Sequence, residues 1–156
     1  MAGLNAEHIN PFLIAATKIL KDMCFIDAKV GRPYVKNMEF ADDTVVIMIG
    51  VAGEMHGQVM VAFANDVACD IASKMCMMPI TQMDELSKSA ICELGNMIMG
   101  NTATVFSTKG IGIDITPPTL GIGKYSVHTG FSKNICIPLT YDDGKVIEFN
   151  IALKGD

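Results

Sequence analysis

The sequence predicts an α+β fold in which a mostly antiparallel β-sheet packs with helices, one of them much longer than the others. Segments rich in β-branched residues are joined by short turns, and such hairpin connections place consecutive strands antiparallel. Other segments repeat their apolar residues every three or four positions, as amphipathic helices do. The 156 residues are enough for one core and too few for two, so residues 1–156 are predicted to form a single domain.

A helix is predicted near the start of the chain from its repeating apolar residues. They are Ile9, Phe12, Leu13, Ala16, Ile19, Leu20 and Met23. Pro11 is expected in or near the first turn of this helix, because a proline farther inside removes a hydrogen bond. Asn5 and Asn10 are the candidate caps for its start.

Strands account for most of the remaining chain. β-branched residues and flanking turn signals predict extended segments at residues 29–40, 45–51, 58–64, 114–119, 131–139 and 146–153. Residues 52–54 and 142–144 each join two consecutive segments as a hairpin. A short helix over residues 67–78, capped by Asn65 and Asp66, is predicted between the two hairpins.

The longest predicted helix runs over about residues 81–108. Thr81, with Asp84 or Glu85, offers capping chemistry at its start, where acidic side chains also favour the positive end of the helix dipole. Gly110 lies just past its expected end.

On a helical wheel, the apolar residues of this long helix form one broad arc that is expected to face the core. The arc consists of Met83, Leu86, Ala90, Ile91, Leu94, Met97, Ile98 and Val105. The opposite side carries the residues that we call the exposed column, spaced by four, three and four positions: Ser89, Glu93, Asn96 and Gly100. Gly95 lies in mid-helix, where glycine lowers helix stability, so it is expected to permit close packing.

The exposed column has a chemical use. The carboxamide of Asn96 can hold a water molecule through one donor and one acceptor, which fixes the direction of its approach. Glu93, one turn earlier, is placed to pair with a lysine of a partner, and Gly100 would let the partner's backbone come close. The alternative is a solvated helix face without function, because the same spacing of Glu and Asn recurs at Glu7 and Asn10.

Residues 83–100 (MDELSKSAICELGNMIMG) resemble the signature of the CheC/CheX/FliY family of chemotaxis phosphatases. That signature is an acidic residue or serine, then Glu after four residues, Asn after three more and commonly Gly after another four. The segment DITPPT at residues 114–119, the Asn-Pro-Phe of residues 10–12 and the Gly-Arg-Pro of residues 31–33 resemble the CheX branch. The resemblance covers nearly the whole chain.

The resemblance implies a hydrolase that removes the phosphoryl group from the aspartyl phosphate of a CheY-like receiver protein and so terminates a chemotaxis signal. It implies that Asn96 positions the hydrolytic water and that Glu93 contacts the active-site lysine of the receiver. Ser89 and Gly100 would belong to the partner-binding surface. Mg²⁺ would be supplied by the receiver, and no cofactor of its own is implied. CheX-type members form dimers, so a homodimer is expected.

CheC-type members of the family carry two such motifs, and the first helix holds a partial second copy. Glu7 and Asn10 are present, but Gly3 replaces the leading acidic residue or serine, Pro11 follows, and Ile14 stands where glycine is usual. We interpret this pair as a decayed or structural copy.

Composition limits the other functions that the chain can have. Its net charge of −5, without a basic stripe, disfavours nucleic acid and anionic membranes as partners. No apolar run approaches the roughly 18 residues of a membrane helix and no signal peptide is visible, so a cytoplasmic protein is expected. The five cysteines form no CxxC pair and the three histidines are scattered, so free thiols and no metal site are expected.

Two alternatives to a phosphatase remain open from the sequence. One is a non-catalytic module that binds a receiver or a component of the flagellar switch through the same helix. The other is a structural dimer in which Glu93 and Asn96 are merely solvated.

Overall fold

The computed structural model describes residues 6–35, 39–126, 134–142 and 144–155. Within these ranges it has three helices, α1 (Ala6–Cys24), α2 (Asn65–Cys76) and α3 (Glu85–Thr108). Its strands are β1 (Lys29–Val30), β2 (Tyr34–Val35), β3 (Glu39–Phe40), β4 (Thr44–Gly53), β5 (Met55–Ala64), β6 (Ile113–Ile115), β7 (Thr119–Ile122), β8 (Tyr125–Ser126), β9 (Ile135–Tyr141) and β10 (Lys145–Gly155). Asn5 and the predicted strand residues 131–133 lie outside the described residues.

The main sheet is antiparallel throughout, which confirms the predicted α+β class. Its strand order is β1-β9-β10-β5-β4-β6, with β2 also beside β9 and β7 also beside β4. The two predicted hairpins are β4–β5 and β9–β10, and β5 and β10 pair with each other at the centre of the sheet. Strands β3 and β8 form a separate two-stranded sheet.

Alternate residues of the central strands point to the helices and form one hydrophobic core with all three of them. In β4 these residues are Val45, Ile47, Ile49 and Val51. A smaller cluster on the opposite face of the sheet contains Phe40, Val46, Met60, Ala62 and Ala152. The sheet is therefore buried on both faces along its middle strands, which is why those strands contain long apolar runs.

Helices α1 and α3 share the most extensive helix–helix contact. The rings of Phe12 and Phe106 meet edge to face, with their centroids 5.5 Å apart. Phe12 is in the first half of α1 and Phe106 near the end of α3, so an extensive contact between the two helices requires that they run antiparallel.

Several details predicted for the helices are wrong. Asn10 lies inside α1 and is no cap, and the cap residue of α2 is Ala64, which makes no side-chain hydrogen bond. Met23 is exposed because Cys24 takes the buried position one turn after Leu20. Pro11 lies in the second turn of α1, close to where it was expected.

Gly95 lets α3 lie directly on β4. A Cβ atom added at Gly95 would lie 2.8 Å from Cγ2 of Ile47 and 3.3 Å from Cδ1 of the same residue. Ile47 and Ile49 are themselves fully packed in the core and have little room to move. The predicted role of Gly95 in close packing is therefore confirmed.

Helix α2 is joined to the β9–β10 hairpin by a polar cluster. The hydroxyl of Tyr141 donates to Oδ2 of Asp70 at 2.7 Å, and Nζ of Lys74 lies 2.9 Å from the same oxygen. Burial raises the pKa of the Asp70 carboxyl, but the hydrogen bonds from Lys74 and Tyr141 outweigh burial and hold that pKa below its ordinary value. The Asp70 side chain is only 25% exposed, so solvent screens these interactions incompletely.

We predict opposite effects on stability for two glycines of α3. Gly95→Ala should lower the free energy of unfolding by about 1–2 kcal/mol, because overpacking against Ile47 exceeds the gain in helix propensity. Gly100→Ala should raise it by about 0.5–1 kcal/mol, because a Cβ there meets nothing within 4 Å. Urea unfolding of both variants measures the difference, and stabilisation by Gly95→Ala would contradict the packing described.

We predict that Asp70 stabilises the protein at neutral pH more than in acid. Because its pKa is lower in the folded protein, its contribution is complete above the ordinary value of 3.8 and is lost as the pH falls through the folded value. In urea unfolding, Asp70→Asn should lose about 1–2 kcal/mol at pH 7 and clearly less near pH 3. Asp142→Asn, which removes an exposed carboxylate 3.9 Å from Lys74, is the control and should change little. An equal loss from Asp70→Asn at both pH values would rule out the carboxylate as the cause.

Candidate functional site

Helix α3 has a well-defined start. Oδ1 of Asp84 accepts hydrogen bonds from the backbone nitrogen of Ser87 at 2.9 Å and from its hydroxyl at 2.7 Å. These bonds from Ser87 lower the pKa of the Asp84 carboxyl. The carboxylate satisfies an otherwise unpaired donor of the first turn, so the helix begins at Glu85 rather than near residue 81.

The buried face of α3 fixes which side chains remain outside. It consists of Ser87, Ile91, Leu94, Gly95, Ile98, Met99, Thr102 and Phe106. All four residues of the exposed column lie on the other side of the helix, accessible to solvent, which is where the helical wheel places them. The structure therefore brings Ser89, Glu93, Asn96 and Gly100 together on one surface.

Glu93 and Asn96 are neighbours on this surface. Side chains three residues apart on a helix have their Cβ atoms about 5–6 Å from each other. Within the described ranges, neither side chain takes part in a hydrogen bond or an ion pair. A carboxylate and a carboxamide are thus presented side by side on a rigid helix, and both keep their bonding capacity for a group from outside the chain.

Gly100 is not required by the packing of this chain. A Cβ atom added there would meet nothing within 4 Å, in contrast to Gly95 one and a half turns earlier. Glycine in an exposed helix position costs roughly 1 kcal/mol relative to alanine. The fold gives no reason for this cost, so the open space beside Asn96 is available to another molecule.

The Glu7 and Asn10 pair of α1 is also exposed, but it is remote from the α3 pair. Because Phe12 lies beside Phe106 in antiparallel helices, Asn10 is about level with the last residue of α3. Asn96 is twelve residues earlier, or about 18 Å along the axis. Exposed Ile14 stands one turn after Asn10, so this copy lacks the open space that Gly100 provides.

The predicted apolar arc of α3 was too broad at the start of the helix. Leu86 is 53% exposed, because it stands two turns before Glu93 and therefore points to the same side. The heptad spacing between Leu86 and Glu93 is the signal that places it there; the assumption that every leucine of the helix faces the core was wrong.

Phe25, which follows α1, was not predicted as a surface residue at all. Its side chain is 71% exposed and its backbone φ is +58°. No local sequence pattern marks it.

The cysteines and the potential metal ligands among the described residues supply no further site. All five cysteines are free, and burial raises the pKa of the Cys24 thiol to about 11, which keeps it protonated and unreactive. In the described part of the chain, no three His, Cys, Asp or Glu side chains converge as metal ligands would. None of the described helices is long and apolar enough to cross a membrane.

A family model described as chemotaxis phosphatase CheX matches residues 45–140, more than half of the chain and all of α3. The chain belongs to the CheX family. The predicted CheX-like branch is thereby confirmed, and α3 with its exposed column lies inside the matched segment.

Individual relatives of this CheX-family chain match it over nearly its whole length. The CheY-P phosphatase CheX of Thermotoga maritima is 28% identical over 153 residues, which are 97% of this chain and 99% of that protein. The crystal structure of a CheC-like superfamily protein from Shewanella sp. PV-4 superposes with a TM-score of 0.87 at 27% identity, covering 97% of this chain and 100% of that one. CheX of Borrelia burgdorferi, solved in complex with CheY, BeF₃ and Mg²⁺, gives a TM-score of 0.81 at 31% identity, with coverage of 94% and 97%.

Proposed function

We propose that this chain is a phosphatase of phosphorylated CheY-like receivers that hydrolyses their aspartyl phosphate and so terminates a chemotaxis signal. The observation that carries the proposal is the exposed pair Glu93 and Asn96 on a capped, packed helix of a CheX-family chain. The activity of the Thermotoga relative and the Borrelia CheX–CheY complex support the same substrate.

The reaction is the attack of water on an acyl phosphate. The water oxygen forms a bond to phosphorus, the bond from phosphorus to the aspartyl carboxylate breaks, and inorganic phosphate leaves. The carboxylate departs as an anion, so the reaction needs orientation and charge stabilisation more than covalent help. The amide of Asn96 supplies orientation: its NH₂ donates to the water oxygen and its carbonyl accepts a water proton, which directs a lone pair at phosphorus.

The other residues of the exposed column bind the receiver. Glu93 pairs with the lysine that lies in the receiver's active site, and this contact sets the distance between Asn96 and the phosphoryl group. Ser89, one turn before Glu93, offers a hydroxyl to the partner surface, and the bare backbone at Gly100 admits the partner closely on the far side of Asn96.

Magnesium belongs to the receiver in this proposal. The support for this is the Borrelia relative, whose complex with CheY was solved with BeF₃ and Mg²⁺. The receiver-bound ion would neutralise charge on the phosphoryl oxygens, whereas this chain contributes the amide and the carboxylate.

The whole chain, residues 1–156, is proposed to act as one cytoplasmic phosphatase domain without a nucleic-acid or membrane partner. The core shared by α1, α2, α3 and the main sheet supports a single folding unit. The net charge of −5 and the absence of a membrane-spanning helix among the described elements are consistent with this setting.

The decisive variant is Asn96→Ala, and the chain offers a matched control in Asn10→Ala. Both remove an exposed asparagine from a helix and should leave the melting temperature unchanged or slightly higher. Asn96→Ala should slow single-turnover phosphate release from a saturating phosphorylated receiver by about 10²–10³, or roughly 3–4 kcal/mol. Asn10→Ala, like Glu7→Ala, should retain most of the activity, and Glu93→Ala should weaken receiver binding as well as turnover.

The outcomes of this experiment separate the alternatives. A folded Asn96→Ala protein that works at the wild-type rate would remove the water-positioning role. In a separate outcome, wild-type protein binds the receiver without accelerating phosphate release. The chain would then be a binding module for a receiver or the flagellar switch. Assisted hydrolysis that persists in excess chelator would exclude the magnesium of the receiver from the mechanism.

We also propose that the protein is a homodimer. The outer strands β1 and β2 present Val30 and Val35 to solvent at one edge of the main sheet, and exposed apolar edge residues favour association. Sedimentation at micromolar concentration should show a species of twice the 16.8 kDa chain mass. Detection of the 16.8 kDa species alone would contradict a dimer.

A further inference from the structure

Phe25 occupies a backbone position that normally belongs to glycine. Its nitrogen donates to the carbonyl oxygen of Lys21 at 3.2 Å, and the nitrogen of Ile26 donates to that of Leu20 at 3.1 Å, which closes the C-terminal turn of α1. This turn requires a left-handed backbone conformation at Phe25, whose φ is +58°. A bulky side chain is strained in this conformation, whereas glycine is not.

The side chain of Phe25 gains nothing from the core in return for this strain, because it is 71% exposed. Leu86 is a second large apolar side chain that the fold leaves outside, at 53% exposure. Two positions where stability alone would favour a small or polar residue therefore carry large hydrophobic ones. The backbone strain at Phe25 and the exposure of both side chains bring no stabilising contact within the fold, which points to a contact with another molecule.

Helix geometry places both residues near the candidate site. Phe25 follows Phe12 by thirteen residues, about 20 Å along α1, and Glu93 precedes Phe106 by the same number along antiparallel α3. Phe25, just after the end of α1, is thus about level with Glu93, and the axes of packed helices lie about 8–10 Å apart. Leu86, two turns before Glu93, is about 10 Å from it along α3.

The typical area of a protein–protein interface can be compared with the distances of Phe25 and Leu86 from the candidate site. A standard interface buries about 800 Å² on each partner, which corresponds to a disc of about 16 Å radius. An interface of this size centred on Glu93 and Asn96 extends to the distances at which Leu86 and Phe25 lie. Contacts that surround the centre of such an interface exclude water from it.

We propose, resting on the function proposed above, that Phe25 and Leu86 form the apolar contact that seats the receiver on α3. The receiver should present a complementary apolar surface next to its acyl phosphate. Contact there excludes bulk water from the space around Asn96, so that the water held by its amide is the one that reaches phosphorus. Phe25 and Leu86 are docking residues and touch none of the reacting atoms.

Binding of a CheY-like receiver of the source organism, loaded with Mg²⁺ and beryllium fluoride in place of the phosphoryl group, tests the proposal. Phe25→Gly and Leu86→Ala should each raise the Kd about tenfold. Phe25→Gly should at the same time raise the melting temperature by about 2–4 °C, because it relieves the left-handed strain. The loss of activity should be recovered largely by saturating receiver, which marks a docking role.

Val146→Ala is the matched control. Val146 is also an exposed apolar residue, at 36%, but its neighbour Ile147 faces the helices, so Val146 points to the opposite face of the sheet. The Kd of the Val146→Ala variant for the receiver should equal that of the wild type. Leu86→Ala, on an exposed helix surface where alanine is the best helix former, keeps the test valid if Phe25→Gly fails to fold.

Three outcomes would overturn the proposal. The first is an unchanged Kd for both variants while Asn96→Ala still abolishes hydrolysis, which leaves the phosphatase standing without this contact. The second is an equal rise of the Kd for Val146→Ala. The third is a change in the sedimentation of the chain alone with Phe25→Gly, which would assign the surface to a second copy. Loss of the phosphatase role itself would appear separately, as wild-type rates for Asn96→Ala.

Discussion

The contact between α3 and β4 is the constraint on which the site depends. Gly95 removes the one side chain that would hold the helix away from Ile47, and the helix settles with its apolar residues on the sheet. Once that face is fixed, the helical period leaves no choice about which residues point outward. A rotation of α3 by one residue, about 100°, would turn Glu93 and Asn96 towards the edge of the helix layer. The surface chemistry is therefore set by packing on the hidden side.

Placing Glu93 and Asn96 on a helix rather than on a loop suits the proposed reaction, which depends on orientation. The helix is anchored at its start by Asp84 and near its end by the contact of Phe106 with α1. Groups on such an element keep their relative positions with little entropy left to lose, which is the condition for aligning a water with phosphorus. Phe25, just after the neighbouring helix α1, adds exposed apolar surface. In the proposed function, α3 supplies the chemistry, and Leu86 with Phe25 at the end of α1 supplies the docking contact.

The helices, the hairpins and the exposed column follow from local sequence, because spacing along a helix translates directly into direction around it. What could not be predicted depends on parts of the chain that are far apart or on exceptions to patterns. The pairing of Phe12 with Phe106, which sets the two helices antiparallel, joins residues that no local signal connects. Leu86 was misplaced because apolar residues were equated with the core. Phe25 was missed because glycine, not phenylalanine, marks a left-handed helix end.

The pairing of β5 with β10 affects how the protein folds while it is being synthesised on the ribosome. These central strands align Phe63 with Ile147, so the middle of the sheet joins segments more than eighty residues apart. Until β10 has been synthesised and released, the β4–β5 hairpin carries an apolar edge that has no neighbour. Folding through such distant contacts is slow, and the unpaired edge of the hairpin is prone to aggregation in the meantime. A chaperone that shields this hairpin during translation would increase the yield of active protein without touching the helix that carries the site.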